Sequence, residues 1–322
     1  MNNKNWWYLL HNPMHFQGWR RKKKYFEGWY YKIVDEENNL SHAFIPGISL
    51  VDENDKHAFI QVLDGVNGKA DYHHFELEDF KPVPGRLEFS LGNNQFSTEG
   101  IQIDLPGFEA NLKFKNWTPL PKSLLRPGIM GWYSYTPMMQ CYHGLGSMNH
   151  FVSGQIKKGD VQFNLENAKG YVEKDWGESF PKVWIWSQCN NFKKDKNLSV
   201  FLSVAHIPWM GSFFIGFIAA VLYNGKIKVF ATYNNAKRKT QLTEKGVDFM
   251  FEQGGVRLEA HVEQNDAYEL KSPIKGDMVG KVNESILAKT NLRIYENGVL
   301  IIEDEGSYSG LEVAGDAEML LL

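Results

Sequence analysis

Phe108-Glu-Ala-Asn-Leu-Lys-Phe-Lys115 places apolar residues at every even position and mostly polar residues at the odd positions. Successive side chains of a β-strand point to opposite faces, so this alternation predicts a strand with one buried and one exposed face. The same pattern recurs in Arg86-Leu-Glu-Phe-Ser-Leu91, Gly100-Ile-Gln-Ile-Asp-Leu105, Lys226-Ile-Lys-Val-Phe230 and Val256-Arg-Leu-Glu-Ala-His-Val262. A period of two therefore dominates the sequence and predicts an all-β protein.

Tight-turn sequences separate these segments and indicate antiparallel hairpins. Asp64-Gly65, Asn67-Gly68, Asn224-Gly225 and Asn297-Gly298 are examples. There is no βαβ rhythm, and only short helical turns are expected, at residues 240–245 and 285–289. Many short strands joined by tight turns favour antiparallel sandwiches or barrels.

The length of the chain favours two such domains, because a single barrel of 322 residues would be oversized. We place the division after the hairpin that ends near Leu165, where a new aromatic segment begins. The predicted domains are residues 1–166 and residues 167–322, with the final strand able to return to the first domain.

Composition adds an excess of aromatic residues, with 10 Trp, 14 Tyr and 21 Phe. Large rings fill β-barrel interiors and also line apolar ligand cavities, and composition cannot separate these uses. The net charge of −3 favours neither a nucleic-acid partner nor an anionic membrane. No signal peptide or membrane-spanning run is recognised, so we expect a cytoplasmic protein that can touch a membrane surface transiently to collect a ligand.

A pair of carboxylates stands out in Gly170-Tyr-Val-Glu-Lys-Asp-Trp-Gly177. If this segment is a strand, Tyr171, Glu173 and Asp175 share one face, whereas Val172, Lys174 and Trp176 lie on the other. Two acids in an aromatic cavity resist simultaneous ionisation, so one could hold a proton and act as a general acid. The alternative is a surface ladder of charges with lysines nearby.

Two further segments add rings and a third acid. Val183-Trp-Ile-Trp-Ser-Gln-Cys189 places Trp184, Trp186 and Gln188 on one face, which suits either a pocket wall with a polar anchor or ordinary core packing. Glu27, within Tyr25-Phe-Glu-Gly-Trp-Tyr-Tyr-Lys32, is expected to have a bonded partner, either as a structural anchor or as an acid that contacts the ligand.

These segments resemble a known family. Phe26-Glu-Gly-Trp-Tyr30 resembles the segment near the start of tocopherol cyclases. The run from Glu173 to Asn190 resembles that family's central motif nearly residue for residue, and Leu311-Glu-Val-Ala-Gly315 resembles its closing run less well. Asp175 stands where the family has Asn. The central pattern is also similar to that of carotenoid 1,2-hydratases and AttH-like proteins, which implies two calycin-like or lipocalin-like β-barrel domains.

The resemblance implies acid-catalysed chemistry on an isoprenoid alkene, either cyclisation by a phenol oxygen or hydration, without a metal or an organic cofactor. The expected ligand is a hydrophobic small molecule, either a prenylated aromatic compound or an isoprenoid lipid. Three histidines, His143, His150 and His206, are candidates to deprotonate a phenol or water. The implied catalytic residues are Glu173, Asp175 and Glu27, and the implied ligand-binding residues are Trp29, Tyr30, Tyr171, Trp176, Trp184, Trp186 and Gln188.

Two other functions stay open at this point. Calycin-like barrels often bind apolar ligands without chemistry, so a non-catalytic lipid or isoprenoid carrier is the alternative to an isomerase-type or lyase-type enzyme. A structural or partner-binding protein with a filled interior is the third.

Overall fold

Antiparallel strands account for most of the chain in a computed structural model that describes residues 5–137 and 139–321. The first eleven strands are β1 Tyr25–Asp35, β2 Leu40–Leu50, β3 Lys56–Asp64, β4 Lys69–Phe75, β5 Phe80–Pro82, β6 Glu88–Leu91, β7 Asn94–Ser97, β8 Gly100–Leu105, β9 Phe108–Lys115, β10 Cys141–Lys158 and β11 Val161–Gly177. The other ten are β12 Trp184–Cys189, β13 Ser199–Trp209, β14 Ser212–Tyr223, β15 Lys226–Ala231, β16 Lys237–Leu242, β17 Gly246–Gln253, β18 Val256–Glu263, β19 Tyr268–Ile274, β20 Asp277–Glu296 and β21 Val299–Ala314.

Helices are few and short, as predicted. The α-helix α1 spans Trp6–Leu10, and the 3₁₀ turns span Gly18–Arg20, Leu77–Asp79, Gly131–Tyr135, Thr232–Asn234 and Ala317–Leu320. The helical turns predicted at residues 240–245 and 285–289 are wrong, because residues 240–242 lie in β16, residues 243–245 form a non-helical connection, and residues 285–289 lie wholly in β20. Pairing with β17 and β21 outweighs their local preference.

The strands form two sheets with the same connectivity. The first has the order β4-β3-β2-β1-β11-β10-β9-β8-β7-β6-β5, so its first strand pairs with its last. The second has the order β15-β14-β13-β12-β21-β20-β18-β17-β16, with β19 paired to β20, and again its first strand pairs with its last. This confirms the predicted all-β fold of two calycin-like antiparallel domains.

Each sheet has one apolar core, which lies on one of its two sides. In β9 the even residues are buried, apart from the half-buried Phe108, and the odd ones are exposed, as the alternation of its sequence predicts. The first core includes Trp29, Tyr31 and Val172, and the second includes Ile185 and Leu311. By contrast, β1 and β2 are buried along nearly their whole length, so their sequences do not alternate.

The chain divides into two compact units. The first comprises the described residues up to Asp64, together with Lys69–Phe180 and Lys271–Gly280. The second comprises Gly65–Gly68, Pro181–Leu270 and the described residues from Lys281 onward. The division that was predicted after residue 166 falls inside β11, and the last strand, β21, belongs to the second sheet. Among the described residues, no helix combines the length and apolar character needed to cross a bilayer.

Candidate functional site

The strand β11 lies between β1 and β10, and the register of these pairs decides which side chains share a face. Tyr30 of β1 lies directly opposite Glu173 of β11, and His143 of β10 lies directly opposite Asp175 of β11. Directly opposed residues project to the same side of a sheet. We call this side the acid face, and the opposite side, which carries Trp29, Val172, Lys174 and Trp176, the core face.

His143 joins the two acids of the acid face. Its Nδ1 lies 2.9 Å from Oδ1 of Asp175, and its Nε2 lies 3.6 Å from Oε2 of Glu173. The side chain of Glu173 is only 6% exposed, whereas that of Asp175 is 24% exposed. Glu173 and Asp175 therefore lie close together as predicted, and the imidazole ring of His143, from another strand, lies between them.

Two more side chains complete this cluster. The hydroxyl of Tyr171 donates a hydrogen bond of 2.5 Å to Oε2 of Glu173. The thiol of Cys141 lies 3.6 Å from Oδ1 of Asp175. Burial, followed by the charges of Glu173 and Asp175 respectively, raises the pKa of both the phenol and the thiol well above the ordinary range. Tyr171 and Cys141 therefore stay protonated and can act as donors.

The electrostatics of the cluster keep a proton on His143 at neutral pH. Burial alone would lower the pKa of the imidazole, but the charges of Asp175 and Glu173 and the hydrogen bond to Asp175 outweigh burial and raise it to about 9. Two carboxylates and one imidazolium thus share one partly buried cluster of the first unit.

The same three side chains have the composition of a metal site. Their ligand atoms all lie within 4.8 Å of one another, and one imidazole with two carboxylates is a donor set that divalent transition metals accept. His143, Glu173 and Asp175 could therefore hold either a shared proton or a metal ion.

Glu27 lies on the core face, away from this cluster, and is fully buried. Its Oε1 lies 2.6 Å from Nζ of Lys174, and its Oε2 accepts a 2.6 Å hydrogen bond from the hydroxyl of Tyr25. The backbone N–H groups of Gln17 and Gly18 donate to the same carboxylate at 2.8 to 3.1 Å. Glu27 therefore joins the segment before β1 to β1 and β11.

Trp29 and Trp176 belong to the same core-face network. The indole N–H of Trp29 donates to the carbonyl of Met14 at 2.9 Å. The ammonium of Lys174 lies 4.8 Å from the ring of Trp29 and 4.6 Å from that of Trp176, which are cation–π distances. Both rings thus contact the first core and the Glu27–Lys174 pair, on the side of the sheet opposite Glu173.

The remaining predicted ligand-binding residues lie in the second unit. Trp184, Trp186 and Gln188 alternate with the core residues of β12, so they share the face opposite the second core. The indole N–H of Trp184 donates to Oε2 of Glu312 at 2.6 Å. Glu312 lies directly opposite both Trp186 and Glu284, so this face also contains a pair of acids that the sequence reading missed.

The other two candidate bases, His150 and His206, have different surroundings. His150 is buried against the rings of Phe114 and Trp117, and its Nδ1 lies 3.0 Å from the hydroxyl of Ser147. Burial lowers the pKa of His150 to about 3, so it is neutral. His206 lies on β13 in the second unit and stacks on Phe213. Of the three histidines, His143 is the one that contacts Glu173 and Asp175.

Two grooves of the second unit are lined mainly by charged and polar residues. One has a volume of about 580 Å³ and includes Asp248, Arg257 and His261, and the other has a volume of about 410 Å³ and includes Lys194 and Asp304. Neither contains a predicted ligand-binding residue. The aromatic pocket stays a prediction.

Comparison with known proteins gives one family. A family model described as tocopherol cyclase-like matches residues 122–315, which include His143, Glu173 and Asp175. A curated maize protein, "Tocopherol cyclase, chloroplastic" (Zea mays), is 24% identical over 234 residues, which are 56% of this chain and 49% of the maize protein. A rice protein, "Probable tocopherol cyclase, chloroplastic" (Oryza sativa subsp. japonica), is 36% identical over 62 residues, which are 19% of this chain and 13% of the rice protein. The chain therefore spans about half the length of the maize relative and a smaller part of the rice one.

Among solved structures, one from Nitrosomonas europaea that is assigned as AttH is similar over 89% of this chain and 92% of its own, with a TM-score of 0.50 and 14% sequence identity. At that identity the likeness concerns the fold alone, and it agrees with the two antiparallel sheets described above.

Proposed function

The chain belongs to the tocopherol cyclase-like family, and on that premise we propose that its acid face protonates the alkene of a prenylated aromatic compound and so drives ring closure. The observation that carries this proposal is the cluster of the buried Glu173 with the partly buried His143 and Asp175, which combines a proton donor with the charges that control it. An acid in a dry, ring-rich site is what alkene protonation requires.

The reaction conserves atoms and electrons. The imidazolium of His143 supplies the proton, which passes through Glu173 to the less substituted carbon of the alkene, and the π electrons of the double bond form the new C–H bond. The tertiary cation that results is attacked by the phenol oxygen, which forms the C–O bond of the new ring. The phenolic proton then returns through the carboxylate of Glu173 to His143, so the product is an isomer of the substrate and no redox cofactor is consumed.

Each neighbour of Glu173 has a role in this scheme. The imidazolium of His143, held by Asp175, supplies the proton and stabilises Glu173 as a carboxylate before and after the transfer. The hydroxyl of Tyr171 donates to the same carboxylate and adds to this stabilisation. Tyr30, which lies opposite Glu173, offers the electron-rich face of a ring to the cation.

The proposal assigns no catalytic role to Glu27, which is bonded on the core face. Trp184, Trp186 and Gln188 stay proposed ligand-binding residues of the second unit. Hydration would use the same acid, with water in place of the phenol oxygen.

The test is turnover of a 2-prenylhydroquinone by the full chain in D2O. We expect a cyclised product that carries one deuterium at the carbon adjacent to the new C–O centre. Glu173→Gln should lower turnover by roughly a hundredfold or more, since general acids contribute about that factor. Glu178→Gln is the matched control, because Glu178 is an exposed carboxylate just after β11.

Three outcomes would overturn the proposal. The first is full activity in a folded Glu173→Gln variant. The second is loss of wild-type activity on dialysis against a chelator with recovery on adding a divalent metal, which would assign the cluster to a metal ion. The third is a lipid that copurifies with the protein and is released unchanged, with no turnover of any prenylated hydroquinone, which would support the carrier function.

A further inference from the structure

Five large apolar side chains of the first unit are exposed to solvent on three segments that contact one another in space. Trp6, Trp7, Leu124, Leu125 and Trp132 are between 47% and 81% exposed, and we call them the apolar rim. Exposed tryptophans and leucines in such numbers are unusual on a protein surface that meets only water.

Hydrogen bonds and ring contacts join the three segments that carry the rim. The ring of Trp7 lies 6.1 Å from that of Tyr135, which follows Trp132 in the same 3₁₀ turn. The hydroxyl of Tyr135 donates to the carbonyl of Leu124, and Nζ of Lys122 donates to the carbonyl of His11 at 3.2 Å. The three segments of the rim are therefore held together by defined contacts.

The two leucines are held at the tip of a turn. The backbone N–H of Arg126 donates to the carbonyl of Ser123 at 3.1 Å, and the N–H of Ser123 donates to the carbonyl of Arg126 at 2.9 Å. These bonds close a four-residue turn with Leu124 and Leu125 at its centre. Its backbone groups are thus partly satisfied internally, which lowers the cost of moving the tip out of water.

The charged residues of the segments that carry the rim are all basic. Residues 1–26 and 110–159 contain no Asp or Glu, although the chain has 38 acidic residues in all. Lys122 and Arg126 flank the two leucines. The overall charge of −3 conceals this local asymmetry.

From these observations we infer that the apolar rim docks the first unit on an anionic lipid bilayer. The tryptophan rings suit the headgroup level, the leucines suit the acyl boundary, and the cations Lys122 and Arg126 complement anionic headgroups. Such docking would deliver an apolar ligand from the bilayer. The inference rests on the surface alone and holds whether or not the acid face is catalytic.

The experiment is cosedimentation of the full chain with two kinds of vesicle, one of phosphatidylcholine alone and one that also contains phosphatidylglycerol. We expect stronger binding to the anionic vesicles, weakened by added salt. The double variant Leu124→Ser/Leu125→Ser should lower the partition coefficient by roughly tenfold or more, because it removes several apolar carbon groups that the bilayer would bury.

The matched control is Val299→Ser/Leu300→Ser, which removes two exposed apolar side chains from β21 in the second unit. It should bind vesicles like the wild type, and both variants should keep the wild-type melting temperature because all four side chains are exposed. Failure of the wild type to bind either vesicle, or equal binding by the rim variant, would overturn the inference. A rim variant that changes only the sedimentation mass of the protein would assign the surface to contacts between protein copies, and would overturn it also.

Discussion

Glu27 and Glu173 are both buried acids of neighbouring strands, but they project to opposite faces of the sheet. Glu27 is bonded to Lys174, Tyr25 and two backbone N–H groups. Glu173 contacts His143 and Tyr171, which are groups that can donate or hold protons. At the scale of single residues, therefore, we expect Glu27 to stabilise the fold and Glu173 to carry the chemistry.

The role of Glu27 can be measured by removing its charge. Glu27→Gln leaves the ammonium of Lys174 buried without its ion-pair partner, so we expect the free energy of unfolding at neutral pH to fall by about 3–5 kcal/mol in urea titrations. The double variant Glu27→Gln/Lys174→Met should recover part of this loss. Wild-type stability in the single variant would contradict a structural role, and loss of turnover in a variant that keeps its stability would make Glu27 catalytic.

A second residue-scale prediction concerns His143 and pH. Its pKa is about 9 in the folded protein, above the ordinary value of 6.5, so its stabilising contribution is complete below about pH 6.5 and is lost as the pH rises through about 9. The contribution is of the order of 3 kcal/mol. Urea unfolding of the wild type and of His143→Gln, from about pH 6 to about pH 10, should show the stability difference between them shrinking as pH rises.

The contribution of Lys174 to stability has the opposite pH dependence, but it does not affect the comparison of the wild type with His143→Gln. Burial lowers its pKa to about 8, against the partial compensation of Glu27, so stability from this group rises as the pH increases from about 8 toward 10.5. Lys174 is present in both proteins, and its contribution cancels in the difference. A difference that stays constant across the range would mean that His143 is not stabilised as an imidazolium.

At the scale of elements, β11 decides the site because it supplies Glu173 and Asp175 to one face and Lys174 to the other. Close contact with β10 depends on Gly170, where an added Cβ would lie 2.1 Å from Nε2 of His150. His150 is buried against two rings and lies 3.0 Å from the hydroxyl of Ser147, so it loses these contacts if it moves aside. The register of β11 therefore relies on a glycine three residues before the acid.

The contact between Gly170 and His150 can be tested by substitution. Gly170→Ala should destabilise the protein by about 1–3 kcal/mol, the usual cost of overpacking a core. The double variant Gly170→Ala/His150→Ala should be less destabilised than the sum of the two single variants, because the clash is absent. Thermal melts of the four proteins form the cycle, and additive effects would contradict the proposed contact.

Whether a strand can be predicted from the sequence depends on whether one or both of its faces are buried. Strands with one exposed face, such as β8, β9 and β18, alternate and were predicted from residues alone. Strands buried on both faces, such as β1 and β2, carry no alternation and gave no such signal. The predicted helical turns failed because the pairing of β16 and β20 with neighbouring strands outweighs weak local preference.

At the scale of the whole molecule, the chain builds the same connectivity twice and returns once to the first unit. Lys271–Gly280 belongs to that unit, where the side chain of Gln61 accepts from the N–H of Lys271 at 2.9 Å and donates to its carbonyl at 3.0 Å. The hydroxyl of Ser49 donates to the carbonyl of Gly276 at 2.6 Å. A segment far along the sequence is thus part of the first unit.

This return can be tested through Gln61. Gln61→Met keeps the size of the side chain but leaves both backbone groups of Lys271 without it, so we expect a loss of about 1–3 kcal/mol. Hydrogen exchange followed by mass spectrometry should show the largest increase within residues 271–280. Gln102→Met, on the exposed face of β8, is the control and should change nothing. Unchanged exchange at residues 271–280 in the Gln61 variant would contradict this role.

The sequence by itself determined the all-β class, the duplicated domain architecture, the family, and the shared face of Tyr171, Glu173 and Asp175, because a period of two and a long motif are local properties of a chain. Only the tertiary structure decided that His143 joins Glu173 and Asp175, that Glu27 pairs with Lys174 on the opposite face, and that Glu312 binds Trp184. Those contacts join residues up to 147 positions apart, from Glu27 to Lys174, and they depend on which strands pair and in what register. Register is set by the packing of whole sheets, which no local pattern contains.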